Sequence, residues 1–336
     1  MNHRIFYHSE AGAAHLAAHA KKQDHGRAAR LSCGGSFAAV ADGHGSKLYA
    51  RSSRGANLAV IAAARLLSRD AEAEAFPQAV KAAWDSLVRR DLERHPPTER
   101  ELALLNKAGE SPEILYGTTL LAAKLLPDGT AELFQLGDGE IHVLLADGSW
   151  AEPMPADPNC SGSATSSIAY GAELAAQTFR HCTVPNAAAV LLYTDGYRSR
   201  TSRPFAAVNA FLAADDDALF EALRAGSGRK DDLTIAILGS EATQTDAFRE
   251  GFEATRKANA EEEAAARLID EYAFLIDQAQ QHSVYLHLVA ARFDHFMHTD
   301  SYAELAARYE RRLDEYDKVI ARLAEIETIL NMKEGA

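Results

Sequence analysis

The sequence predicts an α+β protein: a sheet-based core covered by helices, followed by an additional all-helical segment at the C-terminus. Three observations predict it. Short apolar runs bounded by glycine and aspartate recur up to about residue 240. Among them lie two longer stretches whose apolar residues return every three or four positions. Beyond a short polar stretch at 239–245 the strand signals cease, and only helical periodicity remains.

The strand runs fall at 37–41, 118–126, 131–136, 141–145, 188–194 and 233–238. Asp128-Gly129 separates two of them and Asp147-Gly148 follows another. Both pairs read as hairpin-type turns in which glycine supplies a positive φ. Helices are predicted at 48–67 and 77–92; Pro77 suits a first helical turn, and His95-Pro96-Pro97 ends the second helix. In the last part, Leu268, Tyr272, Ile276 and Ala279 make one apolar stripe. Leu305, Tyr309, Leu313, Tyr316, Ile320, Leu323, Ile326 and Leu330 make a longer one, with Asp300 or Ser301 as its N-cap. Such helices pack on each other or offer a coiled-coil surface to a partner or second copy. The expected division is a domain over 1–240 and a helical domain over 245–336.

With 336 residues, 47% of them hydrophobic and 25% charged, the chain has the composition of a soluble globular protein with a full core. A net charge of −13 argues against nucleic acid or an anionic membrane as partner, and no apolar stretch is long enough to span a bilayer. The opening MNHRIFYHSEAG lacks the pattern of a signal peptide, and Cys33, Cys160 and Cys182 form no Cys-x-x-Cys pair. A cytoplasmic protein with reduced cysteines is expected. Gly226-Ser227-Gly228-Arg229-Lys230 lacks phosphate-loop spacing and reads as a turn. His282, His287, His295 and His298 fit no ligand pair and read as a mixed helix surface.

The aspartates carry the chemistry. Asp42 ends a strand run and opens Asp-Gly-His-Gly; Asp195 ends another and is followed by Gly196. Asp138 lies in Gly137-Asp138-Gly139 between two strands, Asp231-Asp232 precede the last strand, and Asp24 precedes the first. Strands that end in carboxylates can bring them to one rim, where like charges repel and raise each other's pKa. Hard divalent cations such as Mg²⁺ or Mn²⁺ relieve this through oxygen ligation. Two cations ~3.5–4 Å apart can share a water, acidify it and aim it at phosphorus. Any one of the five Asp-Gly pairs is an ordinary turn by itself; their joint occurrence and order make the signal.

The segments Ala41-Asp42-Gly43-His44-Gly45, Gly117-Thr118-Thr119-Leu120 and Leu136-Gly137-Asp138-Gly139 resemble the metal-dependent protein serine/threonine phosphatase family, the PPM or type-2C class. So do Leu192-Tyr193-Thr194-Asp195-Gly196 and Lys230-Asp231-Asp232-Leu233-Thr234, in the family's order. Gly12, His15 and Gln23-Asp24 resemble its divergent bacterial branch. The resemblance implies a β-sandwich flanked by helices in α-β-β-α layers, with two or three Mn²⁺ or Mg²⁺ ions at one end. It implies that Asp42 bridges two cations, that the Gly43 carbonyl, Asp195 and Asp231 complete the first site, and that Asp24 acts near the second. Asp138 matches the ligand of a third ion, Asp232 stands where asparagine is usual, and His44 matches a general acid. The implied reaction is hydrolysis of phosphoserine or phosphothreonine in proteins by a metal-bridging hydroxide, opposite a cognate kinase system.

His19 stands where the family's phosphate-binding arginine falls, leaving Lys21 or Lys22 as substitutes. Two other readings remain open: a regulatory binding module that keeps the fold with weak turnover, and a phosphatase for another phosphomonoester. The small polar segment 159–167 is a surface loop or a flap beside the site.

Overall fold

The computed structural model describes residues 3–17, 21–69, 73–155, 157, 165–171, 173, 178–197, 204–226, 231–292 and 302–334. The chain divides into two compact units, Met1–Arg256 and Lys257–Ala336.

Among its described residues the first unit holds two five-stranded sheets whose pairings are all antiparallel. One runs β1 (Arg4–Glu10), β10 (Leu233–Gly239), β9 (Ala187–Tyr193), β6 (Glu140–Leu145), β7 (Trp150–Ala151). The other runs β2 (His25–Arg30), β3 (Ser36–Ala41), β4 (Leu120–Leu125), β5 (Ala131–Leu136), β8 (Arg180–Val184). Side chains alternate across each strand, so one sequence serves two cores. Ala38 and Val40 of β3 meet Leu121, Val190, Leu192 and Leu238 between the sheets. Phe37, Ala39 and Ala41 face outward, where helices α2 (Ser52–Leu67) and α3 (Phe76–Arg94) cover them with Ala59, Ala63, Val80 and Trp84. On the opposite flank, α5 (Phe205–Ala213) and α6 (Asp216–Gly226) bury Val208, Phe211, Leu219 and Leu223 against Leu191 and Ile235. The result is the four-layered helix–sheet–sheet–helix sandwich.

Small residues let the outer layer approach closely. A Cβ on Gly55 of α2 would lie 1.8 Å from the Tyr116 carbonyl oxygen, and the Gly55 carbonyl accepts a bond from Trp84 Nε1 (3.2 Å). The short helix α4 (Glu99–Ala108) adds Leu105 to this core, and the short helix α1 (Ala13–Ala17) follows β1.

All six predicted apolar runs are strands. Four further strands, β1, β2, β7 and β8, were not predicted, and each is the edge of its sheet. Only the central strands are buried on both faces and read as continuous apolar runs; edges such as His25–Arg30 carry polar and charged residues. The predicted helix over 48–67 begins at Ser52, because 46–49 form a turn instead, with Tyr49 N donating to the Ser46 carbonyl (3.0 Å). The turns at Asp128-Gly129 and Asp147-Gly148 are as expected, with φ of 83° and 81° at the glycines and each Asp Oδ1 accepting from the backbone N–H two residues on.

The long helix α7 (Asp246–Ala290) starts in the first unit: Phe248 and Phe252 enter the core beside Phe205 and Phe211. In the second unit, α7 and α8 (Tyr302–Glu334) run antiparallel. Arg322 Nε donates to Glu271 Oε1 (2.7 Å) near one end, and the Arg312 guanidinium lies 5.2 Å from the Tyr285 ring centre near the other. Leu286, Val289, Leu323 and Ile326 are buried, whereas Phe274, Val284, Leu288, Leu313 and Ile320 are exposed. Among the described residues no helix is long and apolar enough to cross a membrane. Asp300, Ser301, His295, His298, Cys160 and residues 227–230 lie outside the described residues; Cys33 and Cys182 are free thiols.

Candidate active site

Antiparallel register assembles the site. His25 pairs with Ala41, so Asp24, just before β2, comes opposite Asp42, just after β3. Ile235 pairs with Tyr193 in the other sheet, which sets Thr194 and Asp195 beside the start of β10 and hence near Asp231. Thr194 Oγ1 donates to Asp24 Oδ2 (2.7 Å) and joins the two sheets at this end.

The Asp42 turn is clamped by the Gly117-Thr118-Thr119 segment. Asp42 N donates to Thr119 Oγ1 (3.0 Å), and the Asp42 carbonyl accepts from Thr119 N (2.9 Å) and Thr118 Oγ1 (2.6 Å). His44 N donates to the Gly117 carbonyl (3.1 Å). Gly43 lies flat on the start of α2: a Cβ there would come within 2.7 Å of the Ser52 backbone. The backbone of the turn is therefore set before any ligand arrives.

The carboxyl groups are held close enough to perturb each other. Removal from water, reinforced by the charges of Asp24 and Asp195, pushes the Asp42 carboxyl well above the usual carboxylate range. Burial lifts Asp24 to about 7, against bonds from Thr194, Asp42 and Thr234 that favour its ionised form. Asp231 is raised by burial and by the charge of Asp195, against the bond its Oδ1 accepts from Asp232 N (2.9 Å). Asp24 is wholly buried, yet its Oδ1 accepts no hydrogen bond. Among the described residues no three ligand side chains already stand as a formed metal site. The donor set nevertheless fits hard divalent cations: four clustered carboxylates, one with an unused buried oxygen, on a prearranged backbone.

Asp232 plays a different part from Asp231. Its Oδ1 accepts from Gly12 N and His15 Nδ1 (both 2.8 Å), and its Oδ2 accepts from Gln23 N (2.5 Å) and Asp24 N (3.4 Å). Gln23 in turn donates through Nε2 to the His44 carbonyl (3.2 Å) and Ser52 Oγ (2.7 Å). Gln23, Thr118, Thr119, Thr194 and Asp232 thus position the site without being predicted to do so. Their signal was present, since each lies within or beside a quoted motif, but their contacts span sequence gaps too long to read.

His44 packs its ring edge-on to Tyr49, 4.7 Å between centres, and its Nε2 is buried without a hydrogen-bond partner. Burial lowers its pKa to about 4, below the near-neutral value expected of a proton donor, so the imidazole is neutral at pH 7 in the ligand-free site. Asp138 is exposed on the β5–β6 turn and lines a neighbouring cleft. Lys21 is exposed, and Lys22 Nζ is engaged by Ser9 Oγ (2.5 Å). His19 and residues 159–164 lie outside the described residues, while Ser167 is buried beneath the clamp, its Oγ accepting from Thr118 N (3.2 Å).

No curated protein matches this chain. Among solved structures, the serine/threonine phosphatase PstP/Ppp of Mycobacterium tuberculosis is similar at TM-score 0.48 and 19% identity, over 71% of this chain and 98% of that one. The Ser-Thr phosphatase MsPP from Mycobacterium smegmatis, in complex with cacodylate, gives 0.47 and 16% over 70% and 98%. RsbX in complex with magnesium gives 0.42 and 14% over 70% and 94%. The family profile described as protein phosphatase 2C matches residues 11–234. That span begins beside the Gly12 amide held by Asp232 and ends in β10, so it contains every carboxylate of the cluster. This chain belongs to the protein phosphatase 2C family and is a protein phosphatase.

Proposed function

We propose that the chain hydrolyses phosphoserine and phosphothreonine in proteins, in a reaction that depends on Mn²⁺ or Mg²⁺ held by the carboxylate cluster. The observation that carries this reading is the mutual perturbation of Asp24, Asp42 and Asp231 around an unsatisfied buried Asp24 oxygen. A module that only binds has no use for repelling charges kept out of water. Asp42, the Gly43 carbonyl, Asp195 and Asp231 would hold the cations, with Asp24 behind them and Asp138 toward a third. When bound, the ions supply Lewis-acid charge for the phosphoryl oxygens and an acidified water.

The chain's own residues do the rest. Thr118 and Thr119 keep the Asp42 turn from yielding as charge moves. His44 Nε2, without a partner, is available to the seryl or threonyl leaving oxygen. A phosphoryl dianion brought beside it raises its pKa, so substrate binding itself charges the acid. Lys21 remains available for substrate phosphate, whereas Lys22 must first leave Ser9. Residues 1–240 with the first turns of α7 form the phosphatase domain, and the helices beyond recruit the phosphoprotein or a partner.

Turnover of a phosphoserine peptide and of p-nitrophenyl phosphate, with Mn²⁺, Mg²⁺ or excess chelator, tests the reading. Activity lost to chelator and restored by cation is expected. Turnover indifferent to chelator overturns the metal reading, and inertness toward every phosphomonoester leaves a regulatory binding module.

A further inference from the structure

A cleft of about 450 Å³ opens at the β5–β6 turn, lined in part by Gln135, Asp138, Glu140, Glu152, Asp157 and Arg180. Four of these are carboxylates; Asp138 is the one placed above toward a third ion, which leaves Glu140, Glu152 and Asp157 for the cleft's own ligand. The single arginine is engaged, donating through Nη2 to the Gly137 carbonyl (2.7 Å) and lying 3.8 Å from Asp157. His142 also lines the cleft, 2.8 Å from Glu140 and 3.8 Å from Glu152. Even with Arg180 and a charged His142 set against them, the four carboxylates leave an excess of negative charge.

Gln135 is the second observation. It is 95% buried (5% exposed), and its Nε2 donates to the carbonyls of Gly139 and Gly137, the latter at 3.4 Å. Those two acceptors fix which way the amide points. The remaining atom, Oε1, is buried and accepts no hydrogen bond. An unsatisfied buried carbonyl calls for a donor, and carboxylates around it call for that donor to be cationic. The cleft also adjoins the reacting site: Gly137, at φ 101°, lies so near Thr119 that a Cβ would come within 2.5 Å of its Cγ2, and Thr119 Oγ1 holds the Asp42 amide.

We infer that this cleft binds a lysine or arginine side chain of the phosphoprotein, close to the phosphorylated residue, so that the enzyme prefers basic phosphorylation sites. The identity of the ligand as a phosphoprotein rests on the function proposed above; recognition of the cationic side chain rests on the cleft alone. The donor would reach Gln135 Oε1 at the floor, and Glu140 and Glu152 would balance its charge in competition with His142, which lies beside both.

The test uses two labelled phosphoserine peptides of equal length, one with two arginines beside the phosphoserine and the other with two glutamates. With Mn²⁺, kcat/KM should favour the arginine peptide by about tenfold or more at low salt, with a margin that shrinks as salt rises. Glu152→Gln, at a half-exposed side chain, should narrow the ratio between the peptides a few-fold; Gln135→Leu should narrow it further. Equal kcat/KM for the two peptides overturns the proposal. So does a Glu152→Gln or Gln135→Leu protein that needs more Mn²⁺ but keeps the ratio, since the cleft would then serve a metal ion. If the wild-type protein turns over no phosphomonoester, the catalytic reading falls, and fluorescence anisotropy of the same peptides in chelator decides the cleft. Tighter binding of the arginine peptide, weakened by Glu152→Gln, upholds it, and equal binding overturns it.

Discussion

Asp42 owes its place to hydrogen bonds made by its backbone, so its carboxyl, which meets Asp24, is not what holds the turn. Asp42→Asn should therefore keep the melting temperature while turnover falls below about one hundredth, since even residues behind a metal ligand are worth 10–100-fold. Full activity in that variant would sink the metal-centred reading. Asp147→Asn, whose Oδ1 can still accept from Ser149, should leave turnover unchanged. His44→Gln should cost about a hundredfold on a phosphoserine peptide and little on p-nitrophenyl phosphate, whose leaving group needs no proton. Equal losses on both would assign His44 a structural part. Asp232 makes a sharper case. Asparagine is usual there in the family, yet here both carboxylate oxygens accept backbone N–H bonds. An amide nitrogen would face donors, so Asp232→Asn should cost about 1–3 kcal/mol in urea unfolding. No loss would mean that the Gly12 and Gln23 segments hold their places unaided.

At the scale of elements, α4 shows a signal that was legible but not used. Thr98-x-x-Glu101 is a capping box, with Glu101 N donating to Thr98 Oγ1 (3.4 Å) and Thr98 N donating back to Glu101 Oε2 (2.8 Å). The same Glu101 receives the Arg51 fork from the start of α2, with Nε donating at 2.8 Å. The Arg51 guanidinium, aided by the Thr98 bonds, holds the Glu101 carboxyl down to about 2. A folded-state pKa below the ordinary 4.5 means that this stability is fully present above pH 4.5 and is lost as pH falls toward 2. Glu101→Gln should flatten the acid limb of the stability curve across that window; an unchanged limb would show the pair to be inert. Thr98→Ala should cost about 1 kcal/mol. The missed edge strands follow a physical rule. An edge strand keeps solvent on one side, so its composition resembles a loop, and only pairing with β10, β3, β6 or β5 makes it a strand.

At the scale of the molecule, the strand signals end at β10, but the packed unit does not. Phe248 and Phe252 of α7 are buried against Phe205, and Gly251 fits so tightly that a Cβ would lie 1.7 Å from the Asp147 carbonyl oxygen. A chain ended at residue 240 loses both aromatics, each worth about 3–5 kcal/mol as a deletion to alanine. It should aggregate or melt far below the full chain. A chain ended after Arg256 should stay folded and keep p-nitrophenyl phosphate turnover. If the helices beyond recruit a partner or second copy, that shorter chain should also lose the association, read by light scattering or partner capture. Equal melting of the two shortened chains would show that the start of α7 contributes nothing to the core.

The sequence by itself determined the central strands, the turn glycines, the order of the aspartates and the family they announce. Each of these is written locally, as an apolar run, a residue pair or a short motif. Tertiary structure decided which aspartates meet. Asp24 and Asp42 stand together because His25 pairs with Ala41, and Asp232 serves the backbone while Asp231 joins the cluster. It also decided that His44 is neutral in the ligand-free site and that Gln135 lies at the floor of an acidic cleft with an oxygen unanswered. Burial and hydrogen-bond partners belong to pairs of residues dozens to hundreds of positions apart, and no local pattern in the chain carries that information.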